Sequence, residues 1–377
     1  MRKILYFCNC DLKIKNGHGL MIRAHYKMLN ELYQNCIITF MVSDNIYGDK
    51  YICCLSPTRT EKFISVLMGY SPDLSLRAIN QFLKIIKEQH IDTVFIESSM
   101  FGNLIRKIKN IDSRIRVIAY FTDIEADLLN QELVCSGFKR RMVIRRLMQN
   151  ERLTIKYADK KFVLNKRDEK LYIDIYGRKP DAIIPVIISS PDLVTEEEIH
   201  PAGEKLKLLF VGGDFWPNID GIRWFADDVL SKISVPCELE IVGVGMEKYR
   251  TELENKSSLI HVIGTVDDLK PYFMNSDLFI APIRKGGGMK VKTAEALSYG
   301  KTFLGLEEAL IGYWEFIPEA MKRDGIIRCI DAEDFAHTID AFFDKTFYKC
   351  RGDIKAFIDS LCSYEVNLEK FKCLFEE

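Results

Sequence analysis

Short apolar runs alternate with longer amphipathic stretches along the first half of the chain. The runs occupy residues 4–7, 37–42, 93–96, 117–121, 161–164 and 182–188. Apolar runs of strand length, separated by stretches of helix length, are typical of βαβ units that build a parallel sheet with helices on both faces. We therefore expect a doubly wound, Rossmann-like α/β domain over residues 1–188.

The same rhythm restarts in the second half, with strand candidates at residues 206–211, 239–242, 260–263, 278–281, 302–304 and 326–330. Residues 189–205 between the halves are polar, contain Pro191 and Pro201, and have no apolar period, which indicates a linker. We expect a second Rossmann-like domain over residues 206–355. Residues 356–377 are expected to form a C-terminal helix that packs back on the first domain.

Two helices of the second domain are predicted from their periodicity and end signals. Apolar residues from Ile222 to Ile233 recur at helical spacing, and Asn218, which follows Pro217, is a favourable N-cap. The stretch 289–299 has a helical pattern and stops at Gly300, a residue type that favours helix ends.

Length and composition narrow the class of protein. A chain of 377 residues exceeds one ordinary core, and 47% hydrophobic with 28% charged residues excludes a disordered or collagen-like chain. Eleven cysteines without a CxxC pair indicate buried thiols in a cytoplasmic protein. The first apolar run is too short for a signal peptide, and no uncharged apolar stretch approaches the length of a transmembrane helix.

The formal net charge of −1 conceals an uneven distribution. Residues 1–190 contain 31 basic and 20 acidic side chains, whereas the remainder contains 22 and 34, so the halves carry about +11 and −12. In the basic half, one cluster is interleaved with apolar residues, a pattern typical of amphipathic helices that lie peripherally on an anionic membrane face. An ordinary solvated helix is the alternative. The cluster comprises Lys139, Arg140, Arg141, Arg145 and Arg146.

Two loops that follow predicted strands of the second domain have the composition of a ligand site. If the two domains face each other across a cleft, the carboxyl ends of both sheets meet at one crevice, where such loops bind ligands. Residues 212–218 follow one strand. Residues 282–292 follow another and contain three consecutive glycines, Gly286–Gly288, with Lys290 and Lys292 beyond them. Glycine amides at a helix start, with two lysines, predict a phosphate-binding loop.

Simpler interpretations of these residues remain open. The glycines are also compatible with a flexible turn, and Lys292 with Glu295 is also compatible with an i,i+3 surface ion pair. Two competing nucleotide motifs fail on spacing. No G-x4-G-K-[ST] run occurs, and the run 243–245 lacks the third glycine of the dinucleotide fingerprint.

Taken in order, the motifs of the second half resemble the retaining GT-B glycosyltransferases of family 4. The run 212–225 is similar to the family's P-N-x2-G-x2-W-F helix, residues 263–269 to its G-x-V-x-D-L segment, and residues 286–300 to its G-x-G-x3-K-x2-E-A run. The resemblance covers about 100 residues and implies a hexosyltransferase with two Rossmann-like domains. It implies a nucleotide-sugar donor on the C-terminal domain and an acceptor on the N-terminal domain, without a cofactor or required metal.

The resemblance also assigns roles to residues of the second half. Glu295 matches the second glutamate of a Glu-x7-Glu motif and would accept hydrogen bonds from the donor ribose, whereas Gly287 stands where the first glutamate faces the donor sugar. Two aromatic residues beside the loop, Phe215 and Trp216, could stack on the ligand, although buried packing is the commoner fate of such residues. The expected donor-binding residues are Gly17, Gly19, Gly213, Trp216, Val266, Gly286, Gly287, Gly288, Met289, Lys290, Lys292 and Glu295.

The first half is expected to contribute fewer residues. His18 and Arg23 follow the first strand, and Asp123 and Glu125 follow a middle strand, where Thr122 replaces a histidine often seen in the family. We expect His18, Asp123, Lys292 and Glu295 to act in catalysis, and Glu125 and Arg23 to contact the acceptor. Asp123 and Glu125 could instead cap a helix start; metal binding by this D-x-E pair is not expected.

The resemblance implies a mechanism and leaves two other classes open. Lys290, Lys292 and loop amides would stabilise the departing nucleoside diphosphate, which would assist the acceptor hydroxyl with retention at the anomeric carbon. The acceptor would be a glycan or lipid-linked glycan in surface polysaccharide or glycolipid synthesis, and no nucleic-acid partner is expected. A catalytically silent sugar-binding scaffold and a UDP-sugar epimerase are the alternatives.

Overall fold

A computed structural model describes residues 3–8, 17–33, 36–42, 52–135, 137–191, 199–201, 205–343, 346–348 and 350–376. The chain divides into two compact units of similar size. One unit consists of Met1–Ile14, His18–Pro185 and Lys370–Glu377, and the other of Lys15–Gly17 and Val186–Glu369.

The first unit contains a seven-stranded parallel sheet in the order β3-β2-β1-β4-β5-β6-β7. The apolar runs at its centre form strands because both faces of the sheet are covered there, as the fully buried side chains of the first and fourth strands show. The strands are β1 (Ile4–Cys8), β2 (Cys36–Val42), β3 (Ile52–Leu55), β4 (Thr93–Ile96), β5 (Arg116–Tyr120), β6 (Lys160–Val163) and β7 (Ala182–Ile183). Its helices are α1 (Gly17–Leu32), α2 (Arg59–Leu67), α3 (Leu76–Glu88), α4 (Gly102–Ile111), α5 (Glu125–Cys135), α6 (Phe138–Tyr157) and α7 (Lys166–Tyr176).

The second unit contains a six-stranded parallel sheet in the order β11-β10-β9-β12-β13-β14, beside a two-stranded antiparallel sheet of β8 and β15. Its strands are β8 (Ile199–Pro201), β9 (Leu206–Val211), β10 (Cys237–Val242), β11 (Ile260–Gly264), β12 (Leu278–Ala281), β13 (Thr302–Gly305), β14 (Ile326–Arg328) and β15 (Thr346–Tyr348). The remaining helices of the chain are α8 (Trp216–Trp224), α9 (Arg250–Glu254), α10 (Lys270–Asn275), α11 (Val291–Ser298), α12 (Met321–Asp324), α13 (Ala332–Phe342), α14 (Gly352–Cys362) and α15 (Tyr364–Glu376).

The prediction of two parallel-sheet, Rossmann-like α/β units is confirmed. In each unit the strand order reverses once, between β1 and β4 and between β9 and β12. Loops at the carboxyl ends of strands flanking such a reversal are where doubly wound sheets bind ligands. The topology therefore selects the segments that follow β1, β4, β9 and β12 as the places to look for a site.

Several elements differ from the sequence prediction. Strand β3 was not predicted, and only Ala182–Ile183 of the predicted run 182–188 belongs to the sheet. The predicted linker contains β8, whose residues pair with β15 nearly 150 positions later, so no local pattern announces it. Residues 192–198 and 202–204 of that linker lie outside the described residues.

The predicted N-cap of α8 is wrong, whereas the predicted end of α11 is confirmed. Phe215 is the N-cap of α8 and Pro217 lies in its first turn, so Asn218 lies inside the helix. The Asn218 amide Nδ2 instead donates to the carbonyl of Gly213 at 2.8 Å. After α11, Gly300 adopts φ 63°, the left-handed conformation typical of a helix end.

The last residues of the chain pack within the first unit. The rings of Phe371 and Phe375 lie with their centroids 6.0 Å from that of Phe95 on β4. Arg116 donates hydrogen bonds to the carbonyls of Leu374 and Phe375, which satisfies acceptors at the end of α15. Among helices composed of described residues, none is long and apolar enough to cross a bilayer.

Helices α4 and α6 approach most closely at Gly102. A Cβ atom at this position would lie 2.0 Å from the carbonyl oxygen of Asn150 and 2.6 Å from the backbone nitrogen of Thr154. We expect Gly102→Ser to lower the free energy of unfolding by about 1–3 kcal/mol, because the helices must separate to admit the side chain. Urea-induced unfolding followed by circular dichroism measures this change.

Gly137→Ser is the matched control, because Gly137 is the N-cap of α6 and a Cβ there meets nothing within 4 Å. This variant should be as stable as the parent or slightly more stable, since serine is a good N-cap. Equal loss of stability in both variants would contradict close packing at Gly102.

Candidate functional site

The loops after β9 and β10 are held together by backbone contacts. The N–H of Asp214 donates to the carbonyl of Val244 at 2.8 Å, and the N–H of Gly212 donates to that of Val242 at 2.9 Å. A Cβ on Gly243, whose φ is 152°, would lie 2.2 Å from the carbonyl oxygen of Gly212, so glycine is required for this approach. Gly213 is therefore placed at the carboxyl edge of the sheet, as predicted for a ligand loop.

The glycine loop after β12 leads directly into α11. Gly286 and Gly288 have φ values of 154° and 57°, which glycine adopts without strain. The backbone N–H groups of Gly287, Gly288 and Met289 donate to no acceptor among the residues that the structure describes. A loop of unpartnered N–H groups before a helix has the chemistry of an anion site.

The two predicted lysines have different surroundings. Lys290 Nζ lies 2.7 Å from Glu308 Oε1 and 2.8 Å from the carbonyl oxygen of Gly287, so its ammonium is bound to the protein. Lys292 Nζ donates to Asn218 Oδ1 and lies 4.7 Å from the centre of the Phe210 ring. Burial, assisted by the charge of Lys290, lowers the pKa of Lys292 to about 7.

Glu295 lies one turn along α11 from Lys292, but no ion pair joins these two described residues. Burial raises the pKa of Glu295 to about 7, and the nearby charge of Lys292 opposes that rise. The alternative interpretation of Lys292 and Glu295 as a surface ion pair is therefore wrong. Both are half-buried titratable groups poised near neutrality, a feature common in functional sites.

Two aromatic side chains lie at the start of α8, after the loop that follows β9. Phe215 and Trp216 are 60% and 54% exposed, so the expectation that they are buried is wrong. Exposed aromatic rings at the start of α8 are available for stacking on a ligand. Val266, which follows β11, is half-buried, and Met289 is buried.

In the first unit, Glu151 of α6 caps the start of α5, a role that the sequence analysis did not assign. Its carboxylate accepts from the backbone N–H groups of Glu125 and Ala126, each at 3.0 Å, from Ser99 Oγ at 2.6 Å and from the Tyr176 hydroxyl. Burial raises the pKa of Glu151, and these hydrogen bonds oppose the rise. The N–H groups of Glu125 and Ala126 at the start of α5 are thus capped by a side chain of the next helix.

Because the Glu151 carboxylate accepts from N–H groups at the start of α5, the Glu125 side chain is not needed to cap this helix. The Glu125 side chain is half-buried, and its pKa is raised to about 8, mainly by burial and then by the negative charges of Asp123, Glu151 and Asp73. A carboxyl group that keeps its proton at neutral pH can donate as well as accept a hydrogen bond. Asp123 and Glu125 thus lie together at the carboxyl end of β5.

Sequence reasoning also missed a buried network at the strand reversal of the first unit. Glu97 directly follows β4, and its carboxylate oxygens lie 2.8 and 3.0 Å from Nδ1 of His25 and 2.9 Å from the Tyr6 hydroxyl. Glu97 and His25 are fully buried. In the sequence, the only indication of this network is a glutamate directly after an apolar strand, and no local pattern connects that glutamate with His25 on α1.

The predicted residues after β1 lie on α1. His18 is half-buried, and its Nε2 has no hydrogen-bond partner among the described residues. Burial lowers its pKa, and the charge of Glu97 opposes this. Gly17 begins the helix, Gly19 is buried, and Arg23 is half-buried. Within the described residues, no group of three or more His, Cys, Asp or Glu side chains is arranged to hold a metal ion.

The basic cluster lies on α6, as predicted for a helix. Lys139, Arg140, Arg141 and Arg145 are exposed, and Ile144 is buried. Arg146 Nε donates to the carbonyl of Val66 at 3.0 Å, so this side chain also joins α6 to α2.

Two Rossmann-like units with parallel sheets define the GT-B fold of glycosyltransferases. Residues 205–345 match the family model described as "Glycosyl transferases group 1". The chain is similar in structure to sucrose-phosphate synthase from Thermosynechococcus elongatus, with a TM-score of 0.74 and 14% identity over 100% of this chain and 98% of that one.

Two further solved structures are similar. HepE from Anabaena, in complex with UDP and glucose, has a TM-score of 0.71 and 10% identity over the full length of both chains. WaaG, a glycosyltransferase involved in lipopolysaccharide biosynthesis, has a TM-score of 0.64 and 14% identity over 98% of this chain and 95% of that one. The comparison with curated protein sequences found no match. The family match and the fold together support an enzyme of the glycosyltransferase class.

The pKa of Glu125 provides a test of the arrangement of Asp123 and Glu125 at the carboxyl end of β5. We expect Asp123→Asn to lower this pKa from about 8, because a like charge is removed, and to leave it above the ordinary 4.5, because burial is the larger cause. Carboxyl carbon shifts in glutamate-labelled protein, assigned with Glu125→Gln, report the titration. Asp174→Asn on α7 is the control and should not move it; titration of Glu125 near 4.5 in the parent would contradict the burial.

Proposed function

We propose that the protein is a retaining glycosyltransferase of family 4 that moves a hexose from a nucleotide sugar to a glycan or lipid-linked acceptor. The observation that carries the proposal is the loop 286–289, with unpartnered N–H groups, beside Lys292 at the strand reversal of the second unit. The family match over residues 205–345 supports it. WaaG, similar in fold, is a glycosyltransferase of lipopolysaccharide biosynthesis, which favours a surface glycan or glycolipid as product.

In the proposed mechanism, negative charge develops on the nucleoside diphosphate as the glycosidic bond to phosphate breaks. Lys292 and the amides of Gly287, Gly288 and Met289 stabilise that charge, and Glu295 accepts hydrogen bonds from the ribose. The departing phosphate takes the proton of the acceptor hydroxyl, which enters on the same face. No metal ion is required, because Lys292 and the loop supply the positive potential.

The first unit binds the acceptor in this proposal. Asp123 and protonated Glu125 provide acceptors and a donor for sugar hydroxyls, and Arg23 contributes a guanidinium. His18 has an unpartnered Nε2 with a lowered pKa, which suits a neutral imidazole that exchanges hydrogen bonds with a sugar hydroxyl.

A panel of UDP-, GDP-, ADP- and dTDP-sugars with candidate glycolipid acceptors tests the function. We expect acceptor-dependent release of one nucleoside diphosphate, and at least a hundredfold lower rate for Lys292→Met because a transition-state charge loses its partner. Lys270→Met, an exposed lysine of the same unit, is the control and should keep the parent rate. Interconversion of sugars would instead indicate an epimerase, and binding without turnover a scaffold.

The pH dependence follows from the lowered pKa of Lys292. A bound diphosphate favours the ammonium and raises this pKa, so affinity should be full below pH 7 and fall as pH rises, by up to about tenfold per unit. Calorimetry at pH 8 in buffers of different ionisation enthalpy should detect proton uptake in the parent. In Lys292→Met that uptake should disappear, and its persistence would contradict the assignment.

We further propose that α6 holds the first unit on an anionic membrane face. Exposed apolar residues lie near these exposed basic ones. Phe138, at the start of α6, is 83% exposed. Arg146 joins α6 to the end of α2, where Leu67 and Met68 are 56% and 59% exposed. Such a combination fits an interface of anionic headgroups and acyl chains. The protein would then be cytoplasmic and peripheral on the membrane that holds a lipid-linked acceptor.

Vesicle sedimentation tests the membrane proposal. Arg141→Glu with Arg145→Glu should weaken binding to anionic vesicles by at least about tenfold, since each basic residue near the surface contributes about 1 kcal/mol. Lys166→Glu with Lys170→Glu on α7 has the same spacing and charge change and should bind as the parent does. Equal binding to neutral and anionic vesicles would contradict the proposal.

A further inference from the structure

We propose that Glu308 is a positioning residue for the loop 286–289 and acts through Lys290. The inference rests on the proposed function, because it concerns how this loop holds a nucleoside diphosphate. Neither the family resemblance nor the structural similarities assign a role to Glu308, which lies in the turn Glu307–Leu310 after β13.

The ammonium of Lys290 is already surrounded by protein acceptors. Its Nζ lies 2.7 Å from Glu308 Oε1, 2.8 Å from the carbonyl oxygen of Gly287 and 3.4 Å from that of Gly288. The side chains of Lys290 and Glu308 are only 12% and 15% exposed. Three acceptors match the three N–H donors of an ammonium, so Lys290 would have to break these bonds to reach a phosphate.

The same bonds orient the loop amides. In a trans peptide the carbonyl and the N–H of the following residue lie in one plane and point in opposite directions. Because the carbonyls of Gly287 and Gly288 are turned toward Lys290, the N–H groups of Gly288 and Met289 are turned away from it. These are among the N–H groups without a protein acceptor in the described part of the chain. The left-handed φ of Gly288 completes an anion-binding concavity of backbone amides.

The segment after β13 also anchors the first turn of α11. The Tyr313 hydroxyl donates to the carbonyl of Lys290 at 3.0 Å, and Thr293 Oγ1 donates to the carbonyl of Ala309 at 2.7 Å. Glu308 thus belongs to a brace, formed by Glu308, Ala309 and Tyr313, that fixes the loop from one side. It brings to the loop the carboxylate that position 287 itself lacks.

Glu308 has a second effect on the same site, through its negative charge. Lys290 and Lys292 are two residues apart, and the charge of Lys290 contributes to the lowered pKa of Lys292. Glu308 neutralises Lys290, so its removal would leave an uncompensated ammonium beside Lys292 and release the carbonyls of Gly287 and Gly288. Loss of amide orientation is expected to weaken diphosphate binding, whereas a freed Lys290 that reached the phosphate would strengthen it.

The test measures binding of UDP, GDP, ADP and dTDP by calorimetry, and then of the nucleoside of whichever diphosphate binds. Glu308→Gln, which keeps the shape and removes the charge, should weaken diphosphate binding about tenfold and leave nucleoside binding unchanged. Glu307→Gln is the matched control, because its side chain is 83% exposed, and it should bind as the parent does.

A double-mutant cycle separates positioning from direct contact. If Lys290 acts through the loop, Lys290→Met should weaken binding as much as Glu308→Gln, and the double variant no more than either. Unchanged or tighter binding by Glu308→Gln, with a larger loss in Lys290→Met, would overturn the proposal in favour of direct phosphate contact by Lys290.

Two further measurements keep these outcomes distinct. Thermal unfolding verifies that each variant is folded at the assay temperature. If Glu308→Gln is not folded, Glu308→Asp replaces it and should give a smaller but measurable loss of diphosphate affinity. The absence of any loss in Glu308→Asp would overturn the proposal. Failure of the parent to bind any of the four diphosphates would overturn the proposed function itself. Parent binding with an unchanged Glu308→Gln would overturn only the role of Glu308.

Discussion

The Lys290–Glu308 ion pair is the interaction on which the second unit's candidate site depends. A half of the chain with a formal charge of about −12 must present positive potential at one loop to hold a diphosphate. Two lysines so close together repel each other, and a carboxylate beside one of them reduces that repulsion. Pairing Lys290 with Glu308 assigns it to the loop backbone and leaves Lys292 as the cation of the site.

The first unit uses a buried carboxylate for a comparable purpose. The Glu151 carboxylate accepts hydrogen bonds from the backbone N–H groups of Glu125 and Ala126 at the start of α5. Glu97 similarly contacts His25, which lies on the helix that begins with Gly17 and His18. In both units, then, a carboxylate from another segment of the chain binds donors of the candidate site, as Glu308 does for Lys290.

Much of the fold was predictable from the apolar pattern. Strands such as β4, β9 and β12 begin and end where the hydrophobic runs do, because a parallel strand covered on both faces must be apolar throughout. Strand β8 was missed for the converse reason. The pairing of β8 with β15 depends on a partner far along the chain, and no local periodicity encodes it.

The sequence by itself determined the two parallel sheets, the glycine loop before α11 and the residue types placed there, because apolar periodicity and glycine spacing are local properties. Only the tertiary structure decided which lysine is available and which carboxyls keep a proton. These properties depend on burial and on partners such as Glu308 and Asn218, which lie 18 and 74 positions from the lysines they contact. Distances between such residues are set by the packing of the whole unit, and the pattern of residues along the chain does not predict them.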